Sequence, residues 1–167
     1  MSSEGQRRYR HRIAESVAVA AVPTEVFAYL DDHERLGAHM MQSSALMAGS
    51  AMAFSFDAAK GRALGSRIEM RGKVLGLSLT VSEIVTERDI PERKAWETRG
   101  SPRLLVIGAY RMGFEIAPEG AGCRLTVFID YDLPDWPWRL LGLFAGRFYA
   151  RWCVQSMARD AALAFAN

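Results

Sequence analysis

Four titratable side chains fall where strand alternation turns them towards an apolar face. Tyr110 shares its register with Met112, Phe114 and Ile116, and Tyr131 shares one with Ile129 and Val127. Glu15 lies in line with Ile13 and Val17, and Glu83 follows Leu79 and Val81. A tyrosine hydroxyl beside a cavity can hydrogen-bond a carbonyl or act as a weak acid, and a carboxyl withdrawn from water has its pKa raised enough to act as a base. Tyr110, Tyr131 and Glu15 are therefore the catalytic candidates, with Glu83 a fourth group on an inward register. A plainer reading stands beside each. Tyrosines in sheets commonly pack with the hydroxyl reaching water or a backbone group. A one-residue bulge would send either glutamate outward.

Other chemistries find little support. The three histidines are His11, His33 and His39, and no G-x-S-x-G nucleophile motif accompanies them, so hydrolysis by a serine triad is not expected. Asp31, Asp32 and Glu34 cluster loosely around His33 without a metal-ligand spacing, and the pattern reads as a solvated helix surface with no metal. No glycine-rich loop joins a strand to a helix, so no phosphate cradle and no cofactor are expected. Cys123 and Cys153 each sit in an apolar periodic segment and read as reduced core residues.

The formal charge of +2 is unevenly distributed. Arg7, Arg8, Arg10 and Arg12 against Glu4 put +3 in the first twelve residues, and the arginines of residues 139 to 167 less Asp160 add another +3, leaving −4 on the body. The body lacks the basic, aromatic-interleaved stripe of a nucleic-acid binder, so no nucleic-acid partner is expected. Residues 1–11 read as a basic flexible tail and 12–167 as one domain. The segment "IAESVAVAAV" is interrupted by Glu15 and Ser16 and ends at Pro23, which does not suit a secretory signal, so the expected location is cytoplasmic.

Positioning these groups requires an ordered set of elements. Residues 12–20 alternate as a strand, Pro23 opens a short helix over 23–31 with Val26, Phe27 and Leu30 at helical spacing, and a second short helix covers 33–39. About six strands follow between 46 and 133. Among them Met70, Val74, Tyr110, Met112, Phe114, Val127 and Ile129 should face the C-terminal helix, and Arg67, Arg71, Lys73 and Arg111 should face solvent. Met40, Met41, Met47, Met52, Met70 and Met112 add flexible thioethers suited to an adaptable pocket or an ordinary core.

The segment from Pro137 to Phe165 reads as one long helix. Arg139, Arg147, Arg151, Gln155 and Arg159 lie on one polar line, with Leu143 in the missing place, and that line excludes a membrane span. Leu140, Leu141, Phe144, Phe148, Tyr149, Trp152, Val154 and Met157 make an apolar face wider than one contact needs, so a curved antiparallel sheet must hide most of it.

This α+β arrangement resembles the helix-grip fold of the START/Bet v 1-like (SRPBCC) superfamily, which includes polyketide cyclase/dehydrase-like and lipid-binding proteins. "ESVAVAAVPTEVFAYLDDHERLGAH" resembles the family's opening strand, proline turn and helix with a Val-aromatic pair, here Val26 and Phe27. "LTVSEIVTERDIPERKAWET" resembles its mid-sheet segment, in which Val-x-Glu precedes a proline turn and an aromatic. The resemblance implies about seven strands wrapped around the C-terminal helix and an apolar cavity between them. Gly142, Gly146 and Ala150, at i, i+4 and i+8, withhold side-chain volume on that helix, serving either a ligand or close packing. The expected ligand-binding residues are Met70, Tyr110, Met112, Phe114, Val127, Ile129, Gly142, Gly146 and Ala150.

Three functions compete. A carrier of a hydrophobic small molecule such as a lipid, polyketide or isoprenoid asks least of the sequence, since it needs no chemistry. A cyclase or dehydratase would need two or more of the polar groups to converge in the cavity. A membrane-surface or dimeric interaction protein would use "DWPWRLLGLF", with Trp136, Trp138, Leu141 and Phe144 near the entrance of the cavity, although aromatics beside arginine equally suit a capped helix start. The chain is accordingly expected to be a monomer or homodimer.

Overall fold

A computed structural model describes residues 7–36, 51–74 and 76–166. It contains β1 (His11–Val19), α1 (Pro23–Leu30), β2 (Ala51–Phe56), β3 (Arg67–Val74), β4 (Leu77–Asp89), β5 (Arg93–Arg103), β6 (Tyr110–Glu119) and β7 (Gly122–Tyr131). Residues 33–36 form a helical turn, α2, and a long helix, α3 (Arg139–Ala164), ends the chain. Residues 37–39 of the second expected helix, His39, Met40, Met41 and Met47 lie outside the described residues. The strands form one antiparallel sheet in the order β1-β7-β6-β5-β4-β3-β2. Pro23 supplies the pre-set φ of a first helical turn, and Val26, Phe27 and Leu30 bury the face of α1 that meets β6.

Cross-strand partners share a face, and the register shows what each face does. On the concave side Phe56, Ile68, Glu83 and Thr98 are successive partners across β2, β3, β4 and β5. Phe54, Met70 and Val81 form the adjoining row. Tyr110, Met112, Phe114, Val127 and Ile129 are all buried there, as their alternation requires, while Met70 is half-buried. Arg67, Arg71 and Lys73 are exposed on the other side.

Arg111 departs from expectation. It does sit on the convex face, but it is not solvated: its side chain is only 12% exposed, lying between Glu87 and Asp130 and 5.4 Å from the Phe128 ring centroid. Phe128 is itself buried on that face because Gly113, with no side chain, leaves room for its ring. Arg12 covers it from β1, donating to Asp130 at 2.9 Å with its guanidinium 4.6 Å from the ring centroid. Residues 7–10, expected in the flexible tail, also engage the body: the Arg10 backbone N–H donates to Asp132 at 3.1 Å and Arg7 pairs with the same carboxylate at 3.2 Å.

The expectation that the sheet hides most of α3 fails. The helix packs chiefly on β1 and β7, burying Ala150, Cys153, Val154, Met157, Ala158 and Ala161. Its first half keeps Leu140, Leu141, Leu143, Phe144 and Phe148 exposed. Arg147, Arg151 and Arg159 are exposed as their spacing requires. Sequence periodicity alone could not separate a helix wrapped on all sides from one seated by a single edge of the sheet.

Among the described residues, Gly142 and Gly146 form a packing seam. A Cβ placed on Gly142 would lie 2.4 Å from Pro134 Cδ, and one on Gly146 would lie 2.7 Å from the Val106 carbonyl oxygen. Gly142 and Gly146 therefore let the segment around Val106 and Pro134 approach the helix axis, and Ala150, one turn on, is fully buried. Gly146→Leu should lower stability by about 1–3 kcal/mol or more through overpacking, whereas Arg151→Ala on the exposed line should change it by less than about 0.5 kcal/mol. Chemical denaturation of the two variants measures both.

Candidate functional site

Two groups of buried polar side chains occupy the concave face. The first begins with Lys94, which has no exposed surface. Its ammonium lies 2.6 Å from Asp31 Oδ1, 3.1 Å from the Asp31 carbonyl oxygen and 3.0 Å from His33 Nδ1. Arg88 completes the cluster with two hydrogen bonds to the Asp31 carboxylate, at 3.2 and 2.8 Å. Local structure delivers each member. Asp31 ends α1, and Asp32 accepts the Arg35 N–H at 3.1 Å as α2 opens, leaving His33 turned inward. The register shift between Val85 and Glu87 inserts Thr86 as a bulge. Val85 thus stays inward, Glu87 turns out to Arg111, and Arg88 pairs with Lys94 beside Asp31.

The charges in this cluster are set by its burial. Burial would raise the Asp31 carboxyl, but its hydrogen bonds from Arg88 and Lys94 prevail and hold it below its usual value. Burial pushes the Lys94 ammonium down to about 8, against the pull of Asp31, so it remains charged at neutral pH. Its three hydrogens then match three acceptors, which makes His33 Nδ1 an acceptor and places the imidazole proton on Nε2. Burial and the Lys94 charge depress His33 to about 3, so the ring is neutral, and Nε2 has no hydrogen-bond partner where the ring meets Trp96 edge-on at 4.6 Å. The expectation of a solvated surface holds for Glu34, which pairs with Lys60, and for Asp32, which pairs with Arg62. It fails for Asp31 and His33. Sequence reasoning misses Lys94, and the one signal that could have found it is its position two and four residues before Trp96 and Thr98 on the same strand face.

The second group is centred on Glu83, 4% exposed and set among Val81, Val85, Ile68 and Thr98. The Tyr110 hydroxyl donates to its Oε1. Tyr110 is aimed there by Thr98, whose hydroxyl accepts the Tyr110 backbone N–H at 3.2 Å beyond the last paired residues of β5 and β6. Burial pushes the Glu83 carboxyl up to about 7, against the lowering effect of Tyr110. Burial first, and then Glu83, hold the Tyr110 phenol well above its usual value, so it is a donor and not a phenolate. The half-buried Tyr149 approaches from α3, with Cys153 one turn on, and burial drives that thiol up to about 12, which rules it out as a nucleophile at neutral pH.

The other two catalytic candidates are not brought to this place. Tyr131 is paired with Tyr110 across β6 and β7 and is buried, but its ring stacks on His11, with centroids 5.1 Å apart, at the β1 side of the sheet. Glu15 lies at the flank of α3, 3.5 Å from Gln155 Nε2, half-exposed. Glu83, on the interior strand β4, is buried, whereas Glu15, on the edge strand β1, keeps part of its surface in solvent. Two open surface hollows lie elsewhere, one at the β1–β7 end near Ala20 and Gly122 and one against Ser55 and Arg71. The apolar surface beside Glu83 is instead the open concavity of β2–β4, with Phe54, Phe56, Met70 and Leu79 half-buried. No metal-ligating cluster occurs among the described residues, and no helix there is long and apolar enough to cross a membrane.

Residues 10–164 match the family model described as polyketide cyclase/dehydrase and lipid transport. The chain belongs to that family. No curated protein matches the sequence. Its fold is shared with TTHA0849 from Thermus thermophilus at TM-score 0.67 and 17% identity, covering 94% of this chain and 100% of the other. Mll3558 from Rhizobium loti matches at 0.61 and 18%, covering 90% and 96%, and major latex-like protein 151 from Panax ginseng at 0.55 and 13%, covering 94% and 98%. At these identities the likeness shows the helix-grip fold alone. Membership of the polyketide cyclase/dehydrase and lipid transport family supports the binding of hydrophobic ligands in general.

Two measurements check the polar groups. Asp31→Ala should cost about 3–5 kcal/mol because it strands Lys94 and Arg88, while Lys94→Met should cost less because Asp31 keeps Arg88. For Glu83, a carboxyl raised from 4.5 to about 7 makes the native state hold its proton longer than the unfolded chain does. Its stabilising contribution is complete below pH 4.5 and is lost as pH rises to about 7, an interval worth about 3 kcal/mol. Glu83→Gln should abolish that slope, so the stability difference between variant and parent should shift in the variant's favour as pH is raised through this interval in denaturant titrations.

Proposed function

We propose that this family member binds a hydrophobic small molecule in the concavity of β2–β4, with one ligand oxygen hydrogen-bonded at the Glu83–Tyr110 pair. The observation that carries the reading is a carboxyl and a phenol buried together beside the apolar side chains Phe56, Ile68, Met70 and Val81. Buried polar groups of this kind fix orientation, while the surrounding apolar area supplies affinity. Tyr110 can turn its hydroxyl from Glu83 to a ligand carbonyl, and Glu83, titrating near neutrality, can donate or accept according to its protonation. Lipids, polyketides and isoprenoids bearing a carbonyl or hydroxyl all fit this chemistry. Mass spectrometry under native conditions on protein purified from its own host should find a retained hydrophobic molecule. Prodan, an apolar fluorophore with one ketone, should bind the parent, and Tyr110→Phe should weaken it about tenfold, the value of one hydrogen bond. Unchanged affinity in that variant would count against the assignment.

Glu83 also favours a second reading, an enzyme of the cyclase or dehydratase type. A carboxyl held at about 7 is matched to proton transfer near neutral pH. In this reading Glu83 takes a proton from carbon or oxygen while Tyr110 stabilises the developing oxyanion, and the retained molecule is transformed by the parent but not by Glu83→Gln.

A further inference from the structure

The first half of α3 carries an exposed apolar ridge that packing within the chain does not use. Phe144 and Phe148 are each 77% exposed and Leu140 is 56% exposed, one helical turn apart from one another, and Trp136, 78% exposed, stands before the helix. Leu141, Leu143 and Trp138 widen the patch. Arg139, Arg147 and Arg151 are exposed beside it, and among the described residues none of the three is ion-paired. From Pro134 to Arg159 the chain has a single acid, Asp135, against four arginines. A contiguous apolar surface on this scale marks an interaction site.

We infer that this ridge docks on an anionic membrane surface, with the phenylalanines, leucines and tryptophans entering the boundary between headgroups and acyl chains and the arginines meeting lipid phosphates. Charge decides between the two occupants that apolar exposure admits. In a symmetric pairing of two copies through the ridge, Arg147 and Arg151 of each would face those of the other, and the helix offers no acid nearer than Asp160 to receive them. An anionic lipid layer accepts all of them at once. Tryptophans at one end and arginines along the flank are the composition that lies in such an interface without crossing it. The inference is independent of what the Glu83 concavity holds.

The test is co-sedimentation of the full chain with vesicles of phosphatidylcholine alone and of phosphatidylcholine with about 30% phosphatidylglycerol, alongside sedimentation velocity without lipid. The parent should bind the anionic vesicles at least about tenfold more strongly than the neutral ones, and more weakly in high salt. Both Phe144→Ser/Phe148→Ser and Arg147→Glu/Arg151→Glu should reduce that binding about tenfold or more, with melting temperatures near the parent's because all four residues are exposed. Binding that survives both double variants would assign the attraction to the basic N-terminus and overturn the inference. Equal binding to both vesicle types, or no binding, would do the same. A dimer dispersed by Phe144→Ser/Phe148→Ser, with no vesicle binding, would replace the membrane by a second copy.

Discussion

The fully buried ammonium of Lys94 constrains the rest of this structure. A cation withdrawn from water is tolerated only if its anion and remaining acceptors are held in place, so Asp31 and His33 cannot leave once Lys94 is inside. That requirement ties the end of α1, the start of α2, the Thr86 bulge of β4 and the start of β5 to one point. The apolar consequence is that Val26, Phe27 and Leu30 are pressed onto the sheet, with Phe27 edge-on to Phe114 at 5.5 Å. One end of the concave face is thereby closed by polar chemistry and not by a larger core.

The open end is organised around the opposite problem. Helix α3 packs chiefly on β1 and β7, and Glu83 lies further across the sheet, on β4, with the half-buried Phe56 and Met70 in the rows beside it. Its partner Tyr110 comes from a strand that has already parted from β5, and the Thr98 hydroxyl replaces the ladder hydrogen bond lost there. The pair thus marks a boundary at which regular pairing ends and an apolar surface remains unsatisfied. This is the kind of place at which a family that shares a fold can diverge in ligand and chemistry.

Helix α3 answers to both regimes. Its second half is a core helix, with Ala150, Val154, Ala158 and Ala161 against β1 and β7. Its first half is drawn close to the segment around Val106 and Pro134 by Gly142 and Gly146, and that narrow seam buries little, leaving the large residues outside. One helix therefore joins a glycine seam on its inner side to a greasy, arginine-flanked ridge on its outer side.

Periodicity by itself determined the element order, the two faces of β3, β6 and β7, the proline-opened α1 and the exposure of Arg147, Arg151 and Arg159, because side-chain direction follows from backbone repeat. The paired segments "ESVAVAAVPTEVFAYLDD" and "LTVSEIVTERDIPERKAWET" also carried the helix-grip resemblance. Tertiary structure alone decided which polar groups meet. Tyr110 finds Glu83 and not Tyr131, its direct cross-strand partner, because the two rings lean towards opposite edges of the sheet. Asp31, His33, Arg88 and Lys94 are separated by up to 63 residues and joined by a bulge that breaks the alternation from which their directions would be read. Gly142 and Gly146 could have made room for a ligand or for backbone. Only the position of the Val106 carbonyl, fixed by a loop with no periodic signal, settles which.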